Sequence, residues 1–131
     1  MKKGKMLNAD IMTVISKMGH TDTIAIADCG LPIPDHIKRI DLALVKGVPS
    51  FLEVLDALID IFECESFILA NEISEMNPDV EKAVLSKLSN INNTYVSHEE
   101  LKEKCKNVKA VIRTGECSPY ANIILQSGVI F

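Results

Sequence analysis

The chain has 131 residues, with 14 Lys and Arg against 18 Asp and Glu, a net charge of −4, and 47% hydrophobic against 24% charged residues. That composition excludes a disordered tail, a collagen-like repeat and a low-complexity linker, and predicts one domain over residues 1–131. Without a basic stripe or any Trp, and with only four Phe and two Tyr, the chain is unsuited to nucleic acid, whether through phosphates or base stacking.

Met1-Lys2-Lys3-Gly4-Lys5 is basic, but Asn8, Asp10, Thr13 and Lys17 break up the adjoining segment, so no apolar targeting core is expected there. Leu7, Ile11, Val14, Ile15 and Met18 recur at helical spacing, with Asn8 as N-cap and Gly19 just past the end. Thr23–Ala27 reads as a strand running into Asp28-Cys29-Gly30, followed by the Pro-punctuated loop Leu31-Pro32-Ile33-Pro34-Asp35. Ile40–Val45 reads as a second strand of undetermined direction. Ser50-x-x-Glu53 is a capping box opening a helix to about Glu63, and Ser66–Ala70 is a strand of the buried type.

Asn77-Pro78-Asp79 starts a further helix with Val80, Val84, Leu88 and Ile91 on one face. Thr94–Val96 is a short strand. Ser97-x-x-Glu100 is a second capping box, whose helix ends in Lys102, Lys104 and Lys106, as the macrodipole favours. Lys109–Arg113 and Ala121–Leu125 complete the strands, with Val129–Phe131 as a possible extension. The uncharged stretch from Cys117 to Phe131 holds Pro119, Asn122, Gln126 and Gly128 and is too short for a membrane span. Strands alternating with helices predict an α/β fold, a mainly parallel sheet of about six strands with helices on both faces.

Ligands of such sheets bind beyond the carboxyl ends of the strands. The residues there are Asp28, then Asn71 and Glu72, then Ser97 and His98, then Thr114, Gly115 and Glu116, with Tyr120 and Asn122 around the next turn. This set of hydroxyl, amide, carboxylate and imidazole groups suits an uncharged polyol. No Gly-rich phosphate loop occurs, and His20, His36 and His98 are too scattered for a metal site, so neither a nucleotide nor a metal is expected. Cys29, Cys64, Cys105 and Cys117 have no metal-ligand or C-x-x-C spacing and read as reduced thiols, which favours a cytoplasmic protein. A nucleophilic Cys29 lacks a basic neighbour in sequence. Arg113 and Glu116 suggest an ion pair or loop braces.

His20 reads either as a polar residue after a helix end or as a general acid/base, since neutral imidazole both gives and accepts a proton near pH 7. Asp28 either braces its own turn or accepts hydrogen bonds from sugar hydroxyls. His98 begins a helix, where the positive end disfavours imidazolium, and Tyr120 either packs or offers its ring and phenol. His20 precedes the first strand and Asp28 follows it. Eight nearly extended residues reach up to about 26 Å, so a site using both is expected to draw them from two subunits. A mean hydropathy of +0.17 agrees with apolar surface between subunits.

Gly19-His20-Thr21-Asp22, Ala27-Asp28-Cys29-Gly30-Leu31-Pro32-Ile33-Pro34, Lys46-Gly47-Val48-Pro49, Ser97-His98-Glu99-Glu100, Ile112-Arg113-Thr114-Gly115-Glu116, Pro119-Tyr120-Ala121-Asn122 and Gly128-Val129-Ile130-Phe131 together resemble the D-ribose pyranase family, related to the fucose mutarotases. Asp-x-Gly-Leu-Pro and Pro-Tyr-Ala-Asn look like the ribose branch. Cys29, Cys117 and Ser127 depart from the small or aromatic residues expected there. The resemblance implies a cytoplasmic, cofactor-free, ring-shaped homo-oligomer, commonly a decamer of two pentameric rings, that interconverts the β-pyranose and β-furanose forms of D-ribose for ribokinase. It implies His20 as proton donor, and Asp28, His98, Tyr120, Ala121 and Asn122 as substrate-binding positions. The base stays open among His98, Asp28 and water. The rivals are a non-catalytic sugar-binding or transport-accessory protein, a mutarotase acting on fucose and, remotely, a thiol oxidoreductase.

Overall fold

A computed structural model describes residues 1–131. Its elements are α1 (Ala9–Lys17), β1 (Thr23–Ala27), β2 (Lys38–Asp41), α2 (Phe51–Ile59), β3 (Cys64–Ala70), α3 (Ile73–Met76), α4 (Pro78–Lys87), β4 (Asn92–Val96), α5 (His98–Lys104), β5 (Ala110–Arg113) and β6 (Ile123–Ser127). The six strands form one sheet in the order β2-β5-β1-β6-β3-β4. β1 pairs β5, β5 pairs β2 and β3 pairs β4 in parallel, whereas β6 runs antiparallel to both of its neighbours, β1 and β3.

Alternation along the strands splits the core in two. Ile24 and Ile26 of β1 point to one face with Ile112, Ile123, Leu125, Phe67 and Leu69, beneath Ile11 and Val14 of α1, Phe51, Leu55 and Leu58 of α2, and Val84 of α4. Ala25 and Ala27 point to the other face with Val111 and Ile124, where small side chains let Leu101 and Cys105 and the loop residue Leu31 pack closely. Phe51 and Phe67 are fully buried, each contributing about 1.5–3 kcal/mol of transfer free energy. Helices therefore cover both faces, as the pattern predicts.

The caps agree with the sequence. Asn8 accepts from the Ile11 N–H, and the Ser50/Glu53 box closes both ways at 3.1 and 2.7 Å. Ser97 caps α5 through the Glu100 N–H.

Several boundaries differ. The second strand is Lys38–Asp41, not 40–45: after Leu42 bonds to the Arg113 carbonyl, residues 43–49 turn away as a loop. The Ser50 helix stops at Ile59 and the Pro78 helix at Lys87. Thr21, not Gly19, takes the left-handed conformation after α1, with φ 71°. The last strand is Ile123–Ser127, and Val129–Phe131 leave the sheet.

Candidate active site at the carboxyl edge of the sheet

Because five strands run in parallel, Asp28, Glu72, His98 and Thr114 emerge together after β1, β3, β4 and β5. β6 runs the other way, so its start, not its end, reaches this edge. That reversal brings Tyr120-Ala121-Asn122 beside Asp28. A cavity of about 350 Å³ here is lined by Asp28, Gly30, Leu31, Met76, His98, Pro119 and Tyr120. It lies at the small end of ligand pockets, roughly 300–1,000 Å³.

Asp28 is fixed from three directions. Its N–H donates to Asn122 Oδ1 at 2.8 Å, and Asn122 Nδ2 donates to its Oδ2 at 2.9 Å. Its Oδ1 accepts from the Gly30 N–H at 2.9 Å, the Asx turn the sequence suggests. Both oxygens keep lone pairs for further donors. Asn122 is fully buried and its amide serves Asp28, so it acts as a positioning residue. Ala121 is also fully buried, within the core. Neither offers a sugar a solvent-reaching atom in this chain.

His98 stands at the first position of α5, its N–H donating to both Glu72 carboxylate oxygens at 3.1 and 2.9 Å. Its ring meets Tyr120 edge-to-face, centroids 5.1 Å apart and planes at 83°. Nδ1 is buried without a partner, which leaves Nε2 as the nitrogen available to a ligand. Tyr120 is held at φ 58°, a left-handed conformation rare for a bulky residue. Asn77 Nδ2 secures the approach to it by donating to Ser118 Oγ and the Pro119 carbonyl, each at 2.9 Å.

Arg113 and Glu116 do not pair. Arg113 Nη1 bonds both oxygens of Asp41 at 3.1 and 3.0 Å, and its Nε donates to the Cys29 carbonyl at 3.1 Å. Glu116 accepts from the Phe51 N–H at the start of α2 and from Ser118. Each braces a loop. The sequence did not assign Glu72 to the His98 N–H or Asp41 to Arg113. Both are long-range contacts between strand ends, visible only once the strand order is known.

His20 is not in this cavity. It is half-exposed at the opposite edge, its Nε2 3.1 and 3.2 Å from the Glu65 carboxylate oxygens. There it lines a separate cavity of about 280 Å³ with Phe62, Ser127, Gly128, Ile130 and Phe131. The hydrogen bond from His20, then that from Gln126, holds the Glu65 carboxyl below the usual glutamate range. β1, Thr23–Ala27, separates the two cavities, so one chain brings Asp28, His98 and Tyr120 together and leaves His20 apart.

Chemically, the Asp28 cavity offers a fixed carboxylate, an imidazole nitrogen and an aromatic face with a phenol. This suits hydroxyl binding and proton transfer. Residues 1–130 match the model of the RbsD / FucU transport protein family. The chain is 56% identical to a D-ribose pyranase of Geobacillus thermodenitrificans, over 100% of this chain and 99% of the relative. Among solved structures, that of Bacillus subtilis RbsD complexed with D-ribose superposes with a TM-score of 0.98 at 45% identity, covering 100% of both chains. A fucose mutarotase from Streptococcus pneumoniae in complex with L-fucose gives 0.81 at 28% identity, over 95% of this chain and 94% of that one.

Proposed function

The chain belongs to the RbsD / FucU family, and on that premise we propose that it is a D-ribose pyranase, an isomerase interconverting the β-pyranose and β-furanose forms of D-ribose. The observation that carries ribose over fucose is the full-length match to a D-ribose pyranase, the fucose mutarotase being more distant. The product is the form a ribokinase phosphorylates.

The chemistry needs only protons. Opening the hemiacetal removes the anomeric hydroxyl proton and delivers one to the ring oxygen; closure from a different hydroxyl reverses both transfers. Asp28 accepts sugar hydroxyls, His98 Nε2 and the Tyr120 phenol bind others, and Ala121 and Asn122 form the scaffold beneath them. His20 protonates the ring oxygen, and the base is His98, Asp28 or water. No cofactor takes part. Positioned acid/base groups contribute about 10² to 10⁴ in rate.

Since His20 and Asp28 occupy opposite edges, the complete site forms between chains, His20 of one facing the cavity of the next. The exposed Val129, Ile130 and Phe131, beside His20, supply apolar surface for that contact. The assembly is a ring-shaped homo-oligomer, a decamer of two pentameric rings, in the cytoplasm; no helix is long and apolar enough to cross a membrane.

The test is exchange of ribose forms by NMR. Added protein accelerates pyranose–furanose exchange, and His20→Ala removes the acceleration while ribose binding stays measurable. Equal exchange with and without wild-type protein rejects the reading in favour of a sugar-binding module, and faster exchange of L-fucose than of ribose rejects the choice of sugar.

A further inference from the structure

Two cysteines far apart in sequence meet beside the sugar cavity. Cys29 Sγ and Cys117 Sγ are 3.3 Å apart. Cys29 follows Asp28 directly, and Cys117 begins the segment leading through Ser118 and Pro119 to Tyr120. Cys117 is exposed and Cys29 partly so. Both open onto a cavity of about 330 Å³ that Lys46 and Arg113 also line, distinct from the one holding His98 and Tyr120. Cationic groups of this kind favour thiolate and attract small anionic oxidants.

We propose that Cys29 and Cys117 are a redox site that closes to an intrachain disulfide, tying the Asp28 loop to the Tyr120 loop. The oxidant is a low-molecular-weight disulfide. The Cys117 thiolate attacks one sulfur of that disulfide, forming a mixed disulfide and expelling one small thiolate. Cys29 then gives up its proton and attacks the Cys117 sulfur, forming the Sγ–Sγ bond and expelling the second small thiolate, which takes up a proton. Two protein thiols are oxidised and one small disulfide is reduced to two thiols.

Geometry favours closure within the chain over a lasting mixed disulfide. A disulfide bond is about 2.05 Å long, so the sulfurs need to approach by little more than 1 Å. The flanking backbones are already registered: the Cys29 N–H donates to the Glu116 carbonyl at 2.8 Å, and Arg113 Nε holds the Cys29 carbonyl. Contact with the Cys117 sulfur, then burial, pushes the Cys29 thiol up. Cys117, the more exposed of the two, is the sulfur that attacks first. The other two cysteines are internal controls: Cys64 and Cys105 are buried, and burial raises each thiol to about 11.

Closure has two consequences. It joins segments 88 positions apart in sequence, and the entropy removed from an unfolded loop of that length raises the melting temperature by roughly 5–15 °C. It also pulls on the loop carrying Asp28. Misplacement of a site group by about 1 Å costs up to roughly 10²-fold, so ribose exchange slows by about tenfold or more. This second consequence rests on the D-ribose pyranase reading, whereas the disulfide itself does not.

The experiment treats the native assembly with glutathione disulfide, then reads intact mass, alkylation of each cysteine, melting temperature and ribose exchange. Expected are the loss of two hydrogens per chain, protection of Cys29 and Cys117 alone after unfolding, a higher melting temperature and slower exchange, all reversed by dithiothreitol. Cys29→Ser and Cys117→Ser each prevent the mass loss, and the double variant retains exchange under oxidant. A persistent glutathione adduct, a crosslink between chains or no mass change overturns the proposal. Unchanged exchange in the fully disulfide-bonded protein overturns its regulatory half. Reduced protein without ribose exchange but with normal closure places the failure in the sugar assignment instead.

Discussion

Asn122 and Asp28 bind each other reciprocally, side chain to backbone at 2.8 Å and side chain to side chain at 2.9 Å. One buried amide thus aims the carboxylate and satisfies the amide N–H just past β1. Asn122→Ala leaves that N–H unpartnered inside the protein, a loss of about 1–3 kcal/mol. Stability measured by denaturant should fall by that amount, with ribose exchange reduced at least tenfold. Asn122→Asp should be worse for binding at neutral pH, since two carboxylates would meet where one amide now bridges, and should recover partly on acidification.

A site shared between chains has a signature in mixtures. His20→Ala and Asp28→Asn should each be inactive alone. Co-refolded in equal amounts, they form sites that draw an intact His20 from one chain and an intact Asp28 from another, and about a quarter of wild-type exchange should return. No recovery, with oligomers of normal size, would place both groups of one site in the same chain.

Gly115 has no room for a side chain. A Cβ there would collide with the Val48 carbonyl oxygen and would lie 2.6 Å from the Val45 carbonyl oxygen and the Val48 nitrogen, all backbone atoms. Gly115→Ala therefore has to displace the 45–49 loop, at about 3 kcal/mol or more. The melting temperature should drop sharply. A Gly115→Ala protein as stable as wild type would show that the loop yields freely.

Alkaline stability reports on Tyr95. Burial, then the hydrogen bond to Glu81 at 2.8 Å, pushes its phenol up to about 12. The folded state holds the proton where the unfolded state releases it near the ordinary value of 10.0. Its contribution is therefore complete below pH 10 and disappears as pH rises towards 12. The stability gap between wild type and Tyr95→Phe should narrow over that interval and be constant below it.

Glu65 reports at the acid end. Its carboxyl is held down by His20 and Gln126, so the stabilisation is complete above the ordinary value of 4.5 and lost as pH falls through the lower folded value. Melting curves of wild type and Glu65→Gln should converge on acidification. Glu65→Ala should also slow ribose exchange, because the His20 ring loses the hydrogen bonds that orient it.

Legibility in the sequence depends on the range of the interactions. Asn8, the Ser50/Glu53 box, Pro78 and Ser97 act within one helical turn, and their helices begin where those residues predict. Helix ends are less legible: nothing local marks the stop at Ile59, where Ile61 and Phe62 keep the apolar pattern going. The Asp28, His98 and Tyr120 grouping is anticipated by the rule that sites lie beyond the ends of parallel strands. Its precision is not, because the Asn122 clamp spans 94 positions and depends on the reversed direction of β6. The thiol pair is hidden for the same reason. Cys29 lacks a basic neighbour in sequence, and the sheet order supplies Arg113 and Cys117 from another strand end.

The placement of β6 also governs how the sheet can be assembled. β2, β5 and β1 form one block and β3 with β4 another, and only Ile123–Ser127 joins them. Without that segment β1 and β3 would both present bare edges. The segment that covers them also delivers Asn122 to Asp28, so closure of the sheet and alignment of the carboxylate depend on the same stretch of chain.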